Sequence, residues 1–477
     1  MSCLATCYPK TNQSIYPDVV QRLSKSQQHR GDCQIYSNES NALQIQFSGR
    51  LYNAESLRSN LRSRHHFQTF SEAELLLHLY EDLGNDFLKI VDGVFALAIR
   101  TAGHSLIVAR DRLGQMPLYL GLLPEGILLA SELKAFTGIT SDYGEFPINT
   151  LAEYDLATLQ LIRESRIHTA WQWPTEQILD IETAKRKIRS TLERAVAKRL
   201  GDETSGVYLS GGLDSSIIAA LAARIRPGLH TFAVGFGDSE DLKHARLCAD
   251  LMGTTHHEYR YDLKEMLDVL PTVIRHLESF DAALVRSSVP NFLLARLASG
   301  FVSKVLSGEG ADELFCGYAY MHKLPQEALR QELLDILETL GNTGLQRGDR
   351  MSMSAGLVAD VPFLDSTLIE LALMLPLTMK IGPDGVEKWI LREAFADLLP
   401  VEVTHRKKQK FSAGAGSQLV LAQAAESLIS DHDFAAERQT ATGHHLRSKE
   451  DLLYYRIFRE QFPDVAAEKT VAFSRSL

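Results

Sequence analysis

Val207-Tyr-Leu-Ser-Gly-Gly-Leu-Asp-Ser-Ser216 is the stretch on which the reading of this chain turns. An apolar strand runs into Ser210-Gly211-Gly212, and a helix opens at about Ser215. Glycines at that junction let the backbone approach an anion closely. The N–H groups that open the helix then face the anion, and the helix dipole favours its charge. Ser210, Ser215 and Ser216 add hydroxyl donors. Asp214 would repel a phosphate unless a cation lay between them, which points to magnesium. A tight turn with a helix cap would look the same in isolation. The Gly-Lys-Ser/Thr of a Walker A loop is missing, and so is the dinucleotide fingerprint.

Around this loop, strands and helices alternate. Gly206–Leu209, Thr231–Val234, His257–Tyr261 and Val302–Leu306 read as strands, with helices over Ile217–Arg224 and Leu242–Met252 and a long amphipathic helix, Thr183–Leu200, ahead of them. Such alternation predicts a parallel sheet covered on both faces. The strand ending at Leu306 leads into Ser307-Gly-Glu-Gly-Ala-Asp-Glu313, three carboxylates on a glycine-rich turn at the edge where open α/β sheets bind ligands. Asp312 could complete a magnesium site with Asp214, and Glu309 could be a general base. Alone, the segment would be a solvated acidic turn. A third segment, Asp384–Phe395, reads as a helix with Trp389, Ile390, Ala394 and Phe395 toward the core. Lys388 and Arg392 stand one turn apart on it and could neutralise a pyrophosphate leaving group.

The first third reads differently. Ala42–Phe47, Phe95–Ile99, Leu106–Ala109 and Ile127–Ala130 are short apolar runs between Gly, Asn and Asp turns, as in a β-rich domain. Ser71 followed by Glu74 predicts a capping box at the start of one helix. Between about Ser141 and Glu182 the pattern loosens, which places the passage between domains there. The expected division is residues 1–160 and 180–477. Beyond Leu324 the text is mainly helical.

The 477 residues are 45% apolar and 23% charged, ordinary for a globular enzyme of two domains, with no repeat or low-complexity tract. Fifty basic against 60 acidic residues give a net charge of -10, and no basic run, Arg406-Lys407-Lys408 included, is longer than three residues, which argues against a nucleic acid partner. Five cysteines without a CxxC pair, a polar N-terminus and the lack of any membrane-length apolar stretch predict a cytoplasmic protein without a structural disulfide or a membrane partner.

These segments together resemble the asparagine synthetase family. Its phrases are echoed by Asp92-Gly-Val-Phe-Ala96, Ala109-Arg-Asp-Arg-Leu-Gly114, Pro117-Leu-Tyr119 and Ala130-Ser-Glu-Leu-Lys-Ala135. Further along they are echoed by Phe232-Ala-Val-Gly235, Leu306–Glu313, Val361-Pro-Phe-Leu-Asp365, Glu387-Lys388, Leu391-Arg-Glu393 and Arg406-Lys-Lys-Gln409. The resemblance covers nearly the whole chain. It implies an N-terminal αββα sandwich of the glutaminase type (α+β, Ntn-hydrolase-like) followed by an α/β PP-loop ATP-pyrophosphatase domain that cleaves ATP to AMP and pyrophosphate. It also implies that Ser210 to Ser216 hold the pyrophosphate, that Leu209, Val234, Ser307 and Gly308 surround the nucleotide, and that Asp214 and Asp312 bind magnesium. Lys388 would stabilise charge as the amine attacks the adenylate, and Glu309 would handle the amine's proton.

The match is incomplete in two places. The family's glutaminases begin Met-Cys, whereas position 2 here is Ser2 and the first cysteine is Cys3. The family's Asn-Gly-Glu-Ile-Tyr-Asn is Ser48-Gly-Arg-Leu-Tyr-Asn53, its Ser-Asp pair is Ser71-Glu72, and the segment between His29-Arg30-Gly31 and this phrase is shortened. A sandwich that no longer hydrolyses glutamine is expected. On the acid side, the family's Thr-Thr-Ile-Arg is Ala283-Leu-Val-Arg286, which keeps Arg286 as a bidentate partner for a substrate carboxylate but loses two hydroxyls. Phe411-Ser-Ala-Gly-Ala-Gly416 lacks an aspartate after its serine. The expected activity is an ATP-dependent ligase that joins aspartate or a related acid to ammonia or an amine. A homodimer is left open. The alternatives are an intramolecular amide former resembling β-lactam synthetases, which Glu309 opposes because those enzymes carry tyrosine there, and a catalytically inactive scaffold.

Overall fold

The computed structural model describes residues 3–10, 17–201, 204–237, 239–407 and 414–474. The expectations for Ser2, for Lys408-Gln409 and for Phe411-Ser412-Ala413 lie outside the described residues. In chain order the first ten strands are β1 (Ala5–Pro9), β2 (Gln34–Ser37), β3 (Leu43–Leu51), β4 (Gly93–Thr101), β5 (Ser105–Arg110), β6 (Tyr119–Leu123), β7 (Gly126–Ala130), β8 (Tyr143–Glu145), β9 (Thr150–Asp155) and β10 (Gln160–Arg166). They form two antiparallel sheets, one ordered β1-β7-β6-β8 and the other β10-β9-β5-β4-β3-β2.

The alternation along β4 explains the layering. Val94, Ala96 and Ala98 face the smaller sheet, where they meet Leu4, Ile127 and Leu129. Phe95, Leu97 and Ile99 face outward and are covered by Leu75, Leu76 and Leu79. Those leucines lie on a helix over Glu72–Leu83, preceded by helices over Pro17–Ser26 and Ala54–Leu61; the three are α3, α1 and α2. The result is the expected αββα arrangement. Ser71 caps α3 by accepting the Ala73 N–H, but the predicted box does not close, because Glu74 instead accepts the N–H groups of Gln68 and Thr69.

Three strands, β8 to β10, occupy the passage whose pattern loosens. For two of them the period-two signal is weak for a physical reason: β8 has three residues, and β10 is an edge strand exposed along its whole length.

After α4 (Ile181–Leu200) comes a second sheet system, β11 (Ser205–Tyr208), β12 (His230–Phe236), β13 (Thr255–Tyr261), β14 (Lys304–Leu306) and β15 (Val358–Asp360). All neighbours are parallel and the order is β13-β12-β11-β14-β15. Strand β15 escapes a sequence reading because three residues inside a helical region carry no periodicity. Helices α5 (Leu213–Ile225), α6 (Glu240–Met252), α7 (Leu263–Leu277) and α8 (Ala282–Ser299) provide the crossovers. The chain leaves β11 toward β12 on one side and reaches β14 on the other, so a crevice opens at the C-terminal ends of β11 and β14.

Charge buried between the halves holds them together. Arg30 makes two hydrogen bonds to Asp349, at 2.8 and 2.9 Å. Glu132 pairs with Arg30 and with Arg350, at 3.2 and 3.1 Å, and Arg350 reaches Glu278 at 3.0 Å. Burial pushes the Glu132 carboxyl up, but Lys134, His29 and the two arginines hold it well below the usual carboxylate range.

Candidate active site

Strand β11 delivers Leu209 and Ser210 to the crevice, and α5 starts at Leu213. Within the turn, the hydroxyls of Ser210 and Ser215 are 3.0 Å apart, and the Gly212 N–H donates to Ser210 Oγ at 3.3 Å. Gly211 has φ +69°, and a Cβ there would stand 2.5 Å from the backbone of His244 and Ala245 on α6. Glycine is therefore needed for protein packing as well as for any anion. Gly308 has the same character: a Cβ would stand 2.8 Å from the Ser215 nitrogen, so the two loops lie back to back.

One cavity of about 550 Å³ gathers nearly all of the residues singled out in the sequence. Leu209, Ser210, Gly212, Asp214, Ser215, Val234, Arg286, Ser307, Gly308, Glu309, Asp312 and Lys388 line it. Gly211 and Ser216 do not. Ser216 is fully buried on the inner face of α5, with its Oγ 3.3 Å from Cys248 Sγ, so its hydroxyl offers nothing to a ligand in the cavity.

At the floor of the cavity the Lys388 ammonium stands 2.5 Å from Asp214 and 2.6 Å from Asp312. This corrects the sequence reading of the third segment. The helix there is confined to Trp389–Phe395, Lys388 is its N-cap in left-handed conformation at φ 54°, and Trp389 is only partly buried. A left-handed lysine costs roughly 1 kcal/mol, and here it carries the side chain to two carboxylates on different loops. Arg392 is used differently from the expectation: it donates to the carbonyls of Thr404 and Arg406 and to Glu387.

Glu309 pairs with Arg347, whose other arm donates to Ser287 Oγ at 3.1 Å. Burial, then the charges of Asp312 and Glu309, push the neighbouring Glu313 carboxyl up to about 7, and the Tyr318 hydroxyl donates to it at 2.6 Å. Arg286 lines the cavity, but its fork is engaged by Glu450, at 2.8 and 2.9 Å from Nε. Sequence reasoning missed Arg347 and Gly317. A Cβ on Gly317 would fall 1.9 Å from Asp312 Oδ1 and 2.3 Å from Lys388 Cε, a constraint legible only as a glycine shortly after the acidic loop.

The pattern of asparagine synthase matches residues 187–335 and 324–476, and that of a glutamine amidotransferase domain matches residues 9–190. Asparagine synthetase [glutamine-hydrolyzing] 3 of Arabidopsis thaliana is 35% identical over 92% of this chain and 79% of its own length. Asparagine synthetase B [glutamine-hydrolyzing] of Escherichia coli (strain K12) is 35% identical over 94% of this chain and 84% of its own. The chain belongs to the asparagine synthase family. Among solved structures, NMN synthetase from Francisella tularensis covers 63% of this chain at 14% identity and a TM-score of 0.28, too weak a likeness to argue from.

The first sandwich departs from the family's phrases in ways the structure makes concrete. Cys3 is buried and free, its thiol donating to the Gly31 carbonyl at 3.1 Å, and burial pushes it up to about 12. Arg50, where the family's phrase has glutamate, crosses to the second domain and pairs with Asp360, which also accepts the Tyr52 hydroxyl at 2.9 Å. Glu72 accepts the Leu51 N–H at 2.7 Å, and Gln34 donates to it at 3.3 Å.

Proposed function

We propose that this chain is an ATP-dependent carbon–nitrogen ligase that activates the carboxylate of aspartate or a related acid as an acyl-adenylate, releases pyrophosphate and transfers the acyl group to ammonia or an amine. The observation that carries this reading is the meeting of Lys388 with Asp214 and Asp312 where two glycine-bearing loops abut at the sheet's switch point. The N–H groups opening α5, whose Leu213, Asp214 and Ser215 line the cavity, would receive a polyphosphate. Lys388 would neutralise charge that builds on the reacting phosphate and acyl oxygens, an effect enlarged by its burial. Glu309, fixed on the wall by Arg347, would take the proton of the attacking amine.

Two carboxylates converging on one cationic point suit a divalent ion by donor chemistry, and Asp214 and Asp312 would hold magnesium. When bound, magnesium supplies further neutralisation of the phosphates.

The reading excludes glutamine as the nitrogen source. A cysteine thiol that is buried and kept protonated is a poor nucleophile, and Arg50 and Glu72 are already engaged by protein partners. One observation favours the second reading, an acid larger than aspartate that closes on itself: Leu284, Ile336, Leu340 and Phe473 give part of the cavity an apolar wall. Pyrophosphate release by the purified protein, with ATP and magnesium, tests both. Turnover with aspartate and ammonium but not glutamine supports the first. Turnover of another acid without added ammonium supports the second, and silence with every acid overturns the ligase.

A further inference from the structure

We propose that His65, His78 and Glu81 form a binding site for a divalent transition-metal ion, zinc by ligand chemistry, on the outer layer of the N-terminal sandwich. Helix α3 sets His78 and Glu81 three residues apart, hence on one face, and His65 reaches them from the turn after α2. One ligand atom from each of the three lies within 4.8 Å of the others, the only such trio among the described residues. His78 Nδ1 is 2.9 Å from Glu81 Oε2, and His65 Nδ1 is 3.7 Å from the same oxygen. Tetrahedral zinc with bonds of roughly 2.0–2.2 Å places its ligand atoms roughly 3.4 Å apart, so these spacings bracket what the ion needs. The imidazole rings are 4.4 Å apart at a 36° tilt, close enough to share one ion.

The far side of each ring strengthens the case. A metal-binding imidazole presents its other nitrogen to a carboxylate, which fixes the tautomer and raises the ligand's basicity. His65 Nε2 is 2.8 Å from Asp82 Oδ1. His78 Nε2 is buried without a hydrogen bond and faces Glu74 Oε1 at 3.8 Å. Both rings therefore point one nitrogen at Glu81 and the other at a second carboxylate. His65 and Glu81 keep 15% and 27% of their side-chain surface exposed, which leaves an approach for the ion and room for water as a fourth ligand. Two imidazoles and a carboxylate select zinc or a neighbouring transition metal over magnesium or calcium. The ion would tie the turn after α2 to α3.

The test uses the full chain, stripped with chelator and titrated with zinc alone, then with cobalt for its absorption spectrum. One zinc per chain is expected, with the d–d bands of tetrahedral cobalt and a rise in melting temperature. His65→Ala and Glu81→Gln should each weaken binding by at least about tenfold. Both variants should keep native circular dichroism and pyrophosphate release. His65 and Glu81 are partly exposed, so these variants fold even where one at His78 fails. Asp312→Asn should bind zinc as the parent does, which separates this site from the large cavity. No binding by the parent chain, or equal binding by parent and His65→Ala, overturns the proposal.

Discussion

Gly317→Ala probes whether the cluster of Lys388, Asp214 and Asp312 is the working centre. The new Cβ would stand 1.9 Å from Asp312 Oδ1 and 2.3 Å from Lys388 Cε. Comfortable contacts lie near about 3.5 Å, so each group must retreat by about 1 Å or more. Gly317 is not among the glycines with positive φ, and alanine therefore brings no backbone strain. Both displaced atoms belong to side chains that can swing aside, which limits the folding penalty to about 1–3 kcal/mol. A misplacement of about 1 Å in a catalytic constellation lowers rate by about 10²-fold, or about 2.7 kcal/mol of barrier. ATP–pyrophosphate exchange, measured with the acid that supports turnover, should fall by that factor while the urea transition remains cooperative. A folded Gly317→Ala protein that exchanges pyrophosphate at the parental rate would refute the assignment of this cluster.

Ser216→Ala should change pyrophosphate release by less than about threefold, because the hydroxyl faces Cys248 rather than the cavity; its cost should show as about 1 kcal/mol in the denaturation midpoint. Arg50→Glu should destabilise by about 3–5 kcal/mol, since Asp360 is buried and would lose its partner for a like charge. Adding Asp360→Arg should recover only part of that loss, because Arg199 and Lys304 also lie against Asp360; a double variant no better than the single one would show that Arg50 acts by packing alone. Burial pushes His256 down to about 4 and His276 down to about 3, from an ordinary imidazole value of 6.5. Between 6.5 and those values the unfolded chain binds protons that the folded chain does not. Stability should therefore decline as pH falls from about 6.5 toward 4, and His276→Gln should flatten that decline; an unchanged slope counts against the assignment.

The loops around Ser210 and Ser307 were legible because strand, glycine and acid stand side by side in the chain. The sheet edge on which they meet follows from strand–helix alternation alone. What sequence could not supply was direction: Ser216 and Ser215 are neighbours of one type, yet one faces the cavity and the other Cys248. Nor could it reveal that Lys388 precedes its helix, since that depends on a left-handed backbone at a residue that rarely adopts one. Strands β8, β10 and β15 were missed because short or edge strands lack the alternation that a buried face imposes.

The charges sealed between the halves bear on how such a protein can be taken apart. Removing the first sandwich would strip Asp349 of Arg30 and Arg350 of Glu132. It would also open to water the buried apolar cluster in which Leu128 and Phe136 of the sandwich join Val273 and Leu277 of α7. The second half taken alone would leave those charges unpaired and that cluster open to water, so it is expected to fold poorly without the sandwich, whatever chemistry the sandwich performs.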